Sequence, residues 1–228
     1  MASPSLTKIA YQTLQQGKSL VGLAHKGLSS KIMDFVIKDK LLTEFPLSNE
    51  LLEDLRISMI KLQEEDWKDA QNGIYPKNLL FEVPWLEWAK KYPLIWLDMP
   101  KTWIRRKKNK TRDIPKTINK NLYPDYYLQN FHHQTDGYLS DHSASLYDIQ
   151  VEILFNGTAD SMRRRVLSPL KNHIEPLKNK NSSPIRILDV ATGTGRTLQQ
   201  IRIAFPEAEL FGLDLSGAYL KQASKYLS

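Results

Sequence analysis

The 228-residue chain contains no cysteine, which excludes a disulfide framework, thiolate metal ligation, an iron–sulfur cluster and thiol catalysis. It also lacks any apolar run near the ~18 residues a spanning helix needs, so no transmembrane segment is expected. The first 33 residues have no acidic side chain but several lysines and serines, a composition similar to an organellar transit peptide. The apolar stretch of a secretory signal is absent there, so the expected location is cytoplasmic, or organellar if that segment is a targeting sequence. What is present is ordinary globular usage, 41% apolar and 25% charged, which excludes wholesale disorder. The length allows one large domain or two modest ones.

The formal charge of +7 is local. Residues 101–120 hold nine Lys/Arg and one Asp, so this run carries +8 and the rest of the chain −1. Such a run reads first as a solvated loop and second as a contact for phosphate or anionic lipid. Trp103 is its sole aromatic, so it lacks the stacking residues of a single-strand binder.

Residues 5 to about 38 have apolar positions at helical spacing (Ile9, Leu14, Leu20, Leu23, Ile32) and predict a helix or helix pair that packs on its own domain, or touches a membrane surface. A second helix is capped by Ser48, carries Leu51, Leu52, Leu55, Met59 and Leu62, and ends at Asn72-Gly73. Between Ile74 and Lys101, four prolines and three tryptophans predict short turns wrapped over a core. Residues 123–147 are rich in Tyr and His. His132, His133 and Asp136 lack a second cluster to complete a coordination shell, so no metal site is expected. A helix begins near Ser143 or Ser145, breaks at Asn156-Gly157, and gives way to a basic helix disturbed at Pro169.

The chemistry concentrates near the C-terminal end of the sequence. Ile185–Val190 predicts a buried strand, followed by Ala191-Thr192-Gly193-Thr194-Gly195 and a helix; Glu209–Asp214 predicts a second strand, followed by another helix. Two glycines after a strand allow close backbone approach at a helix N-terminus, and Asp214, nineteen residues after Gly195, stands where a carboxylate grips ribose hydroxyls. Asp189 opposes a pyrophosphate by Coulomb repulsion, and Leu198 replaces the third glycine of the dinucleotide fingerprint. That balance favours S-adenosyl-L-methionine, a cation without phosphate.

At Ile187–Gly195 and Phe211–Ser216 the sequence resembles the class I S-adenosylmethionine-dependent methyltransferases, particularly those of ubiquinone and menaquinone biosynthesis. The resemblance implies an α/β fold: the first βαβα half of a Rossmann-like methyltransferase sheet, preceded by a mainly helical N-terminal region. The implied division is a helical extension at 1–122 with a basic loop at 101–120, an aromatic cap at 123–180, and a partial cofactor domain at 181–228. Gly193 and Gly195 would approach the methionine moiety and Asp189 its amino group. Asp214 would hold the ribose, with Ala191 and Leu215 beside them. His132, His133, Tyr138 and His142 are the candidates for a base. The implied activity is methyl transfer to a small, lipophilic acceptor. The full family sheet needs more strands than this sequence supplies, so a fragment is expected, or a partner chain that completes the sheet. The alternatives are an RNA methyltransferase using the basic run, and a non-catalytic half-domain acting as a scaffold.

Overall fold

Ser48 sits in extended backbone and its hydroxyl accepts from the Leu51 N–H, which starts a helix that runs until Asn72 and Gly73 turn the chain. Rules of this kind set most of the architecture in the computed structural model, which describes residues 5–37, 48–131, 135–178 and 183–227. In chain order the elements are α1 (Leu6–Ile37), α2 (Asn49–Gln71), α3 (Trp85–Lys107), α4 (Asp141–Leu154), α5 (Ala159–Arg164), α6 (Leu167–Lys178), β1 (Arg186–Val190), α7 (Arg196–Ala204), β2 (Glu209–Leu213) and α8 (Gly217–Leu227), with short 3-10 turns between α2 and α4.

The chain divides into two compact units. The first comprises Met1–Asp34, Lys38–Val83 and Val151–Ser183. Here α1 is one continuous helix. Gly17 and Gly27 face open space, whereas at Gly22 a Cβ would come within 3.1 Å of the Asn156 Cα. The core centres on Asp66 of α2, which is fully buried. Arg164 of α5 donates to both its oxygens, from Nε at 2.8 Å and Nη2 at 2.6 Å, and the hydroxyls of Tyr11 and Tyr75 each donate at 2.6 Å. The three partners come from separate segments, so one carboxylate ties them together.

The second unit comprises Phe35–Ile37, Pro84–Gln150 and Pro184–Ser228. Its first element corrects the expectation of short turns: α3 runs 23 residues straight through Pro93 and Pro100. Proline removes a backbone hydrogen bond and disfavours a helix interior. Here Trp88, Ile95 and Trp103, at steps of seven and eight, are buried on one side, while Pro93 is exposed on the other. Aromatic burial outweighs the proline cost. Ser140 caps α4 by accepting from the Ser143 N–H at 3.0 Å.

β1 and β2 pair in parallel with Arg186 opposite Glu209 and Val190 opposite Leu213. α7 and α8 pack with β2, and Leu198, Ile201 and Ala223 are buried. The expected Rossmann-like methyltransferase sheet is not what this chain forms. Helix accounts for 68% of the described residues, and the sheet among them has two strands and does not close. A strand, a glycine turn and a helix are local features that a helical protein forms as readily as a large α/β sheet.

Candidate functional site

The turn between β1 and α7 is tightly wound. Ala191, Gly193 and Gly195 have φ of 62°, 56° and 77°, left-handed values that glycine adopts freely and alanine only at a cost. At Gly195 a Cβ would meet the Ala223 Cβ at 2.7 Å and its Cα at 2.9 Å, so the close approach this glycine permits is to α8. Thr192 donates its N–H to the Leu213 carbonyl at 3.0 Å, continuing the ladder past the end of β1.

Asp214 joins the two strand ends. Its Oδ2 accepts from the Gly193 N–H at 2.8 Å, its Oδ1 from the Ser216 N–H at 2.8 Å, and the Tyr127 hydroxyl donates to Oδ1 at 3.4 Å. Ser216, fully buried, accepts in turn from the Tyr219 N–H and caps α8. Asp189 is less engaged: Thr192 Oγ1 donates to its Oδ2 at 2.8 Å, and Oδ1 has no hydrogen bond among the described residues. Thr194 donates to Asp148 of α4 at 2.8 Å, which anchors the turn from the other side.

Tyrosines gather beside this turn. Tyr219 lies 5.5 Å from Tyr138 and 5.4 Å from Tyr147, both steeply inclined; Phe131 stacks on Tyr138 at 5.2 Å, and Tyr127 stacks on Tyr123 at 5.9 Å. Burial raises the Tyr127, Tyr138 and Tyr219 hydroxyls above the ordinary phenol value, and the Asp214 charge adds to the rise at Tyr127. These phenols stay protonated and act as hydrogen-bonding walls. Burial likewise lifts Tyr226 to about 12, with the Asp148 charge next in importance.

Asp189, Ala191, Gly193, Gly195, Asp214 and Leu215 therefore come together at the C-terminal ends of the strands. Tyr138 reaches the same place through Tyr219. His142 is exposed, and its ionic contact is Asp98 of α3, Nε2 to Oδ1 at 3.9 Å. His132 and His133 lie outside the described residues. Sequence patterns had not marked Tyr127, Ser143, Asp148 or Tyr219 for this cluster. Ser143 bonds the Tyr219 hydroxyl at 2.9 Å across 76 residues of sequence, a separation that no local periodicity reports. Among the described residues, no group of three or more His, Asp or Glu side chains could hold a metal ion, and no helix is long and apolar enough to cross a membrane.

The other face of the strands carries a different message. Leu188 and Val190 of β1, Phe211 and Leu213 of β2 and Leu215 just beyond it alternate along the chain and are 42–65% exposed, so this side of the sheet carries an uncovered apolar patch. Arg186 borders this face, its guanidinium 5.0 Å from the Phe211 ring centre and 3.6 Å from the Glu209 carboxylate.

Compared with models of protein families, with curated proteins and with solved structures, the chain matches none. The methyltransferase expectation is corrected accordingly. The described residues are mainly helical with an open, two-stranded sheet, and hold no Rossmann-like core on which an S-adenosyl-L-methionine site and a methyl-transfer centre could be built. The small-molecule acceptor falls with that premise, as do the RNA-methylating variant, the methyltransferase half-domain and the partner chain completing a methyltransferase sheet.

Proposed function

We propose that this chain is a homotypic assembly module in which two copies pack their β1/β2 faces against each other. The observation that carries it is the uncovered apolar face of Leu188, Val190, Phe211, Leu213 and Leu215. Parallel sheets are ordinarily covered on both faces, because both sides read as apolar. Covering what these side chains leave exposed gains about 1 kcal/mol for each, by area. The border of the face is self-complementary in charge: Arg186 and Glu209 lie side by side, so a two-fold arrangement can match each with its opposite in the other copy. Leu215 continues the alternation beyond Leu213. Gly193 and Gly195 shape the turn, and Asp214 holds it.

The test is sedimentation velocity of the full chain over a concentration series, beside the double variant Val190→Glu/Leu213→Glu. The wild type should shift to a dimer as concentration rises, and the variant should remain monomeric with an unchanged far-ultraviolet spectrum. A wild type that stays monomeric throughout, or a dimer indifferent to the two glutamates, would overturn the proposal.

A further inference from the structure

α3 has a second side that the buried tryptophans do not explain. Leu86, Lys90, Leu97, Lys101, Ile104 and the capping Lys108 follow one another at steps of four, seven, four, three and four residues, so they share one stripe of the helix. All six are exposed, Leu86 and Leu97 to 82% and 73%, and exposed Leu94 flanks them. The two acids of α3 stand elsewhere: Asp98 is buried, and Glu87 is paired with Lys91. Beyond the helix, Lys110, Arg112, Lys116 and Lys120 are exposed, and none of them forms an ion pair among the described residues. Asp113 is the single acid in that stretch.

We infer that this face of α3, with the basic segment that follows to Lys120, lies on an anionic lipid surface. Charge complementarity selects an anionic occupant. The apolar members of the stripe select the kind of anion. Leu86, Leu94, Leu97 and Ile104 sit between the lysines, where they can enter the boundary between headgroups and acyl chains while the ammonium groups reach the phosphates. A nucleic acid offers those leucines nothing to bury against, and Trp103, the sole aromatic of 101–120, is buried and cannot stack on a base. The mode is surface attachment by a helix lying in the interface, as no described helix is apolar enough to span.

The experiment is co-sedimentation of the full chain with phosphatidylcholine vesicles, with and without phosphatidylglycerol, at low and high salt. Two exposed-site variants are compared: Leu97→Glu/Ile104→Glu and Lys101→Glu/Lys108→Glu. Thermal melts followed by circular dichroism check that both variants stay folded. The wild type should bind the anionic vesicles alone, losing about tenfold in affinity with either variant and in high salt. Three results would overturn the inference: no binding to anionic vesicles, binding to them that Leu97→Glu/Ile104→Glu leaves intact, or tighter binding to polyuridylate than to the vesicles.

Discussion

A single carboxylate, Asp66, decides much of the first unit's stability. Burial alone would raise its pKa, but the hydrogen bonds and charge of Arg164, with the hydroxyls of Tyr11 and Tyr75, hold it below the ordinary carboxylate value. Burial raises Tyr11 and Tyr75 above the phenol range, and the neighbouring Asp66 charge raises them further. Replacing Asp66 by Ala leaves the Arg164 guanidinium buried without its counter-charge, which costs about 3–5 kcal/mol. Urea unfolding followed by Trp67 fluorescence measures it, since Trp67 packs 6.0 Å from the Tyr11 ring. The pH dependence has two limbs. The depressed Asp66 stabilises above its unfolded value of 3.8, and that contribution is lost as pH falls through the folded value. The raised tyrosines stabilise below their unfolded value of 10.0, and stability declines as pH rises beyond it, by about 1.4 kcal/mol per pH unit for each tyrosine. Tyr75→Phe should flatten the alkaline limb by one tyrosine's share; an unchanged slope in alkaline urea titrations would count against this account.

At the scale of elements, the β1–α7 turn is held by contacts that exclude side chains. Gly195 combines a left-handed φ with a Cβ position already filled by Ala223 of α8. Gly195→Ala should therefore cost about 2–4 kcal/mol, the sum of backbone strain and overpacking against α8. Gly193→Ala meets only the edge of Tyr219, at 4.0 Å, and should cost less. Thermal melts of the two variants rank them. Elements governed by local chemistry were legible in the sequence: the Ser48 cap, the Asn72-Gly73 stop, the left-handed Asn156-Gly157 break, and the two five-residue strands. α3 was not legible, because proline chemistry is local while the burial of Trp88, Ile95 and Trp103 that overrides it depends on partners distant in sequence. The side chains of α2 show the same limit. Its apolar stripe is present, yet Leu51, Leu52 and Leu55 are half exposed, since periodicity marks a face without saying what covers it. The strand-end cluster was half legible: Asp189, Gly193, Gly195 and Asp214 lie close in sequence, whereas Tyr127, Asp148 and Tyr219 arrive by tertiary folding.

At the scale of the whole molecule, local motifs and architecture part company. A strand, two glycines and an acid after the next strand occupy the thirty residues from Ile185 to Asp214, and they resemble a methyltransferase because that family uses the same turn. Whether a large sheet surrounds the turn is a property of the entire chain, and the described residues are 68% helix. What the molecule does present is two surfaces of opposite chemistry: an apolar sheet face, and a helix stripe running into residues 101–120, whose +8 outweighs the −1 of everything else. Salt separates them. Screening shortens the reach of exposed charges to a few ångströms at high ionic strength, while apolar burial survives. Replacing Lys108, Lys110, Arg112, Lys116 and Lys120 by Gln removes five exposed positive charges. That variant should lose attachment to anionic vesicles yet keep the concentration-dependent dimer, and the wild-type dimer should persist in high salt where vesicle binding does not. If sedimentation velocity instead showed the dimer dissolving with added salt or with the glutamines, association would be a matter of charge, and the uncovered sheet face would not be the surface that assembles the molecule.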